Sequence, residues 1–162
     1  MEKIINELRY FNKSFPREAL TKAMKMKEEI TPILLEELDE IIACPAIVTE
    51  NQDYMLHIYA IYLLAQFREK KAFARVIDLI SFKSDEVEVF LGDVLTGDLS
   101  SIIYSTFDGD LNALQSVIEN PLLNIYARSA ALDVYAKLYS DGAISKEECM
   151  EYLRGLIYDN CY

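Results

Sequence analysis

Apolar residues recur along this chain in short ladders at helical spacing: Leu34/Leu38/Ile41, Phe73/Ile77/Ile80, Leu114/Ile118 and Leu153/Ile157. Each ladder steps by three or four residues, which places its members on one face of an α-helix. The first members lie 39, 41 and 39 residues apart. A period of about 40 residues is the mark of stacked helical hairpins, in which each unit buries its apolar stripe against the next. No run of β-branched residues alternates long enough to predict a strand. The pattern therefore predicts an all-α protein, an α-solenoid of about four HEAT-like hairpins forming a single domain over residues 1–162.

The punctuation predicts where the helices lie. Glu2 to Phe11 reads as a short amphipathic helix with Ile4, Ile5, Leu8 and Phe11 on one side, a cap for the array at residues 1–11. Pro16 suits a first helical position and opens a helix to about Lys27. Thr31-Pro32 then opens its partner, which ends near Cys44-Pro45 because proline cannot continue a helix. Thr49-Glu50-Asn51-Gln52 has the form of a capping box and predicts a helix from there to Phe67, apolar on nearly every face and so covered on both sides. A return helix follows over Glu69 to Phe82, and Ser84 is expected to cap a segment through Phe90.

Three of the five glycines precede aspartate, at Gly92-Asp93, Gly97-Asp98 and Gly109-Asp110. Glycine closes one helix in the left-handed conformation and aspartate caps the amides of the next, so each pair predicts a tight joint. Further helices are expected at about Leu99 to Phe107, Leu111 to Glu119 and Leu122 to Tyr139. Ser145-Lys146-Glu147-Glu148 is a second capping box, opening a closing helix to about Tyr158.

Composition narrows the function classes. The formal charge is −11, which opposes the phosphate backbone, so nucleic-acid binding would need a local basic face and is disfavoured. The charge is segregated along the chain. Residues 1–28 hold seven Lys/Arg against four Asp/Glu, residues 29–66 none against seven, residues 67–83 five against two, and residues 84–127 none against eight. The longest apolar run, Tyr54 to Phe67, is too short to cross a bilayer, and the polar N-terminal residues do not form a signal peptide, so the expected location is the cytoplasm. Cys44, Cys149 and Cys161 are widely spaced without a CxxC pair, the usage of reduced thiols.

The segments LLAQFREKKAF (63–73), GDVLTGDL (92–99), FDGDLNALQSVIEN (107–120) and YARSAALDVYAKLYSDGAISKEE (126–148) resemble a bacterial family catalogued as domain of unknown function 1186. The likeness extends into ALTKAMKMKEEITPILLEEL (19–38) and so covers most of the chain. It implies an all-α, HEAT-like fold without an established biochemical activity. Many members carry a cysteine-rich, zinc-binding C-terminal tail; this sequence closes at Asn160-Cys161-Tyr162, so no metal is carried over and no cofactor is expected.

Polar positions within those segments are the candidate binding residues: Glu69, Asp93, Thr96, Asp110, Glu119, Asn120 and Arg128. One reading gathers them into a concave patch around Arg128, able to clamp a carboxylate or phosphate. The other makes Asp93 and Asp110 helix caps, puts Thr96 at a turn, and pairs Arg128 with an acid inside the stack. Asp53 and His57, four residues apart, would supply two metal ligands at most, and no second element completes a site. Glu36, Glu37 and Glu40 form an acidic helical face. Tyr59/Tyr62 and Tyr135/Tyr139 each share a helix face and offer amphipathic contact area to a partner. No Ser, Cys or Tyr has a visible activating base, which leaves catalytic residues unassigned. The sequence thus points first to a protein-interaction module whose partner is another protein, next to a ligand sensor or enzyme using the Asp93 to Arg128 region, and last to a nucleic-acid binder.

Overall fold

The computed structural model describes residues 1–159, which contain twelve α-helices and no strand. They are α1 (Glu2–Arg9), α2 (Arg17–Lys25), α3 (Lys27–Ala43), α4 (Ala46–Thr49), α5 (Leu56–Phe67), α6 (Ala72–Ile80), α7 (Ser84–Leu91), α8 (Val94–Gly97), α9 (Leu99–Thr106), α10 (Leu111–Glu119), α11 (Ile125–Ser140) and α12 (Lys146–Asp159). Cys161 lies outside the described residues.

The ladders are buried where the spacing puts them. Leu34, Leu38 and Ile41 of α3, Phe73, Ile77 and Ile80 of α6, and Leu114 and Ile118 of α10 all belong to one continuous apolar core. Helix α3 packs on α6 and α6 on α10, while α5 packs on α9 and α9 on α11. The fourth ladder departs from this pattern: Leu153 is only half-buried, and Ile157 is 64% exposed. Helix α12 packs on α11 and meets no following helix among the described residues that could cover its outer side.

Long-range side-chain hydrogen bonds repeat a similar interval. Lys27 donates to the Phe67 carbonyl 40 residues on, Tyr62 to Asp98 at 36, Lys70 to the Phe107 carbonyl at 37, Arg75 to Asp39 at 36 and Tyr104 to Asp141 at 37. Asn124 is buried at the start of α11. It donates to Ser84 Oγ at 2.9 Å and Glu88 Oε1 at 3.1 Å, 40 and 36 residues earlier, while its Oδ1 accepts from Tyr126 N. These bonds thus join positions 36 to 40 residues apart in sequence.

Several joints differ from the sequence expectation for identifiable reasons. The break between α2 and α3 falls at Met26, whose φ of −113° and ψ of 39° leave the helical region. Helix α3 then runs through Pro32, and the Thr31 hydroxyl donates to the Lys27 carbonyl. Thr49 opens no helix: it ends α4, its hydroxyl donating back to Pro45 O at 3.3 Å. The expected helix start is displaced because the backbone pairs elsewhere. Phe11 N donates to Asp53 O at 2.7 Å and Met55 N to Arg9 O at 2.9 Å, forming an isolated antiparallel bridge between Tyr10 and Tyr54. A peptide group committed to that bridge cannot also open a helix, so α5 begins at Leu56.

Of the three Gly-Asp joints only one works as expected. Asp110 Oδ1 accepts from Ala113 N at 3.0 Å, after Gly109 at φ +111°. Gly92 has φ +47°, but Asp93 makes no side-chain cap; Gly97 ends α8 without a positive φ, and Asp98 binds Tyr62 instead. Ser84 likewise caps nothing. It is the first residue of α7, whose start is tied by Lys83 N donating to Glu86 Oε2. The second capping box is formed as expected, with Ser145 N on Glu148 Oε2 at 3.0 Å and Glu148 N on Ser145 Oγ at 3.2 Å.

Candidate functional site

Helix α5, LHIYAIYLLAQF, is apolar on almost every face. Its Leu56, Ala60, Ile61, Leu63 and Leu64 are buried as it packs against α3 and α9. The remaining face, with Met55 just before it, carries Met55, Ile58, Tyr59, Tyr62 and Gln66, a stripe at helical spacing that is half-buried at Met55, Ile58 and Tyr59 and exposed at Tyr62 and Gln66. The expectation that this helix is covered on both sides holds for the faces against α3 and α9, and the stripe is what those contacts leave partly exposed. The stripe is the floor of an open groove of about 660 Å³ whose other wall is Phe15, Leu20 and Met24. Phe15 is 67% exposed and Met24 51%.

Past Met55, Ile58 and Tyr62 the groove runs into a second cleft of about 760 Å³, walled by Val89 to Val94 at the α7–α8 turn and by Gln52 and Tyr54. The two adjoin along those three shared residues and together make a two-part trough. The turn at Gly92 lets α8 fold back, bringing Asp93 and Asp98 into the lining of this cleft. Both aspartates are exposed.

The wall of the cleft is held by polar bonds. His57, the only histidine, is buried. Its Nε2 lies 2.7 Å from the Phe90 carbonyl and therefore carries the proton it donates. Burial lowers the His57 pKa, opposed by the Phe90 bond, so the ring is neutral at neutral pH and Nδ1 holds a lone pair that meets no partner. The Tyr54 ring stacks on it at 5.9 Å, and Tyr54 donates to the buried Glu37 carboxylate at 2.6 Å. Tyr62 donates to Asp98 Oδ2 at 2.6 Å, and desolvation together with that bond pushes its pKa up to about 12. This arrangement presents an apolar trough with hydrogen-bond acceptors in one of its two parts.

The candidate residues named from sequence do not all meet there. Asp93 lines the cleft, and Thr96, one turn on, has its hydroxyl 3.4 Å from the Asp93 carbonyl. Asp110 caps α10 at one end, while Glu119 and Asn120 lie at the other. Asn120 Oδ1 accepts from Leu122 N at 3.0 Å, and Glu119 lies near the Tyr152 hydroxyl, where burial and then that carboxylate raise the tyrosine's pKa. Glu69 Oε1 accepts from Lys71 N in the α5–α6 turn. Arg128 is half-buried, and its Nε donates to Ile118 O at 3.0 Å, in the last turn of α10. Among the described residues no carboxylate forms an ion pair with it, so the expected acid is replaced by a helix C-terminal carbonyl, which attracts a cation for the same electrostatic reason.

Asp53 and His57 do not share a helical face, since Asp53 precedes α5. Among the described residues no group of three His, Cys, Asp or Glu could hold a metal ion, and no helix is long and apolar enough to cross a membrane. The trough residues Phe15, Met24, Met55 and Ile58 were not named as site residues from sequence, and Asp98 was read there only as a helix cap. Their only signal is the exposed aromatic run Tyr10, Phe11 and Phe15, and an apolar surplus in α5.

A family model described as a protein of unknown function, DUF1186, matches residues 1–161. The chain belongs to that family. Among its relatives, uncharacterized proteins of Chlamydia trachomatis serovar D and Chlamydia muridarum are 39% and 38% identical over 154 residues, 95% of this chain. The alignment spans 61% of each relative, so the chain corresponds to about three-fifths of their length. No solved structure matches it.

Proposed function

We propose that this DUF1186 chain is a HEAT-like array of about four helical hairpins that works in the cytoplasm as a protein-interaction module, docking its partner in the trough along α5. The hairpin reading is supported by the successive packing of α3, α6 and α10, by that of α5, α9 and α11, and by side-chain bonds spaced 36 to 40 residues apart. One observation carries the functional reading: the apolar stripe Met55/Ile58/Tyr62 is left partly exposed between α2 and the α7–α8 turn. Uncovered apolar surface is costly in water, and aromatic residues with methionine are the types that interfaces favour. Tyr10, Phe11, Phe15 and Met24 are exposed, and Phe15 and Met24 line the groove itself.

The test is affinity capture from the native host with wild type and with a Phe15→Glu/Met24→Glu variant. Both positions are exposed, so folding is spared, which circular dichroism would confirm. Proteins retained by wild type and lost by the variant support the reading; identical retention by both overturns it. The size of the α7–α8 cleft, with Asp93 at its edge, favours a small-ligand sensor as the second reading, since pockets of this volume suit small molecules. A metabolite that raises the melting temperature of wild type but not of Asp93→Asn would favour it.

A further inference from the structure

We infer that the trough takes an amphipathic helix from its partner, with an apolar stripe that ends in lysine or arginine. This rests on the interaction-module reading and specifies its partner. The groove is apolar along Phe15, Leu20, Met24, Ile58 and Tyr62, and the two aspartates line only the adjoining cleft, Asp98 beside the shared Tyr62. No Lys or Arg lines either part of the trough. The Asp93 carboxylate has no cation beside it, and Asp98 accepts from an uncharged tyrosine hydroxyl; neither takes part in an ion pair among the described residues. Residues 84–127, which carry both aspartates, contain eight Asp/Glu and no Lys or Arg, and the Lys and Arg of residues 1–28 belong to the segment of the other wall, where none of them lines the groove. His57 adds no charge while neutral. A cation arriving from outside would meet two carboxylates with the Tyr62 ring beside them, a setting that attracts ammonium and guanidinium groups.

The secondary structure of the occupant follows from the walls. Helices form the trough, their backbone groups already bonded internally, and the described residues offer no sheet edge on which an extended peptide could pair. A helix brings its own backbone bonds and presents apolar side chains every three or four residues, matching the spacing of Met55, Ile58 or Tyr59, and Tyr62. Two adjoining volumes of about 660 and 760 Å³ that share Met55, Ile58 and Tyr62 can take successive side chains of one helix.

The experiment titrates the intact chain with two model helical peptides that share one leucine stripe, their polar positions filled by lysine in one and by glutamate in the other. The lysine peptide is expected to bind about ten-fold or more tighter than the glutamate peptide. Asp93→Asn/Asp98→Asn and, separately, Phe15→Glu/Met24→Glu are each expected to weaken the lysine peptide by about ten-fold. A Glu36→Gln/Glu40→Gln control, which removes the same charge from an exposed face of α3, should change it less than about two-fold. Equal binding of the two peptides overturns the proposal, as does an equal effect of the control, which would mean that net charge alone attracts lysine. If host capture remains trough-dependent while the peptides fail to discriminate, the module stands and this partner class falls. If neither depends on the trough, both fall.

Discussion

Tyr54→Phe separates one hydrogen bond from everything else the residue does. Tyr54 is 8% exposed and Glu37 6%, and the hydroxyl donates to the carboxylate at 2.6 Å. Phenylalanine keeps the ring, its edge contact with Tyr10 and its stack on His57. What is lost is the donor to a buried carboxylate. Hydrogen bonds to charged groups contribute about 1.5–3 kcal/mol, so the expected loss at neutral pH is about 2 kcal/mol. For a chain of this length that lowers the thermal midpoint by about 4–8 °C.

The pH dependence gives the sharper test. Burial raises the Glu37 pKa above 4.5, the Tyr54 bond opposes that rise, nearby Glu40 adds to it and Arg9 opposes it. A raised folded-state value means that the folded protein holds this proton more tightly than the unfolded chain. The contribution to stability is therefore fully present below the ordinary carboxylate value and is lost as pH climbs through the folded one. Removing Tyr54 takes away the first of the opposing effects and raises the folded value further. The variant's deficit should therefore be largest near neutral pH and shrink by half or more near about pH 4, where Glu37 is protonated in both proteins. Urea unfolding at the two pH values measures it. An equal deficit at both, or one below about 0.5 kcal/mol at neutral pH, would refute the assignment of Tyr54 as donor to an ionised Glu37.

Arg128→Ala should cost about 1–2 kcal/mol, the loss of one charged donor to the α10 C-terminal turn, and a loss of 3 kcal/mol or more in denaturant unfolding would reveal an acid partner that the hydrogen bonds do not show. Asp110→Ala should cost about 1 kcal/mol by removing the cap on Ala113 N, whereas the uncapped Asp93→Ala should cost well under that; equal losses would contradict the unequal roles of the two aspartates. Phe73→Ala, at 1% exposure, should cost about 3–5 kcal/mol, and Ile157→Ala, at 64%, less than about 0.5; comparable melting shifts would mean that the fourth ladder is buried after all.

The sequence was most legible where one local rule had no competitor. Leu34, Leu38 and Ile41, or Phe73, Ile77 and Ile80, are buried because a stripe at helical spacing has only one way to leave water. Asp110 and Ser145 cap as read because nothing else claims their side chains. Asp98 and Ser84 fail as caps for the opposite reason, each being taken by a residue 36 or 40 positions away in sequence. Arg128 was expected to pair with an acid, and its Nε donates to the Ile118 carbonyl instead. Sequence could not say that the partner is a carbonyl, since every residue supplies one.

The trough was the least legible feature, and its position shows why. Had the signal at Thr49 to Gln52 prevailed, Gln52, Tyr54 and Met55 would have continued α5 as another turn of helix. The Tyr10–Tyr54 bridge holds that segment out of helix instead, and those same three residues line the α7–α8 cleft. Local preference therefore loses to tertiary pairing at the place where the concavity forms, the kind of conflict that concentrates at working surfaces. The apolar content of α5 reads the same whether or not a neighbour covers it. Only the packing of α2 and the α7–α8 turn determines that Met55, Ile58 and Tyr62 remain available, and only the acceptors at that turn give the trough a direction.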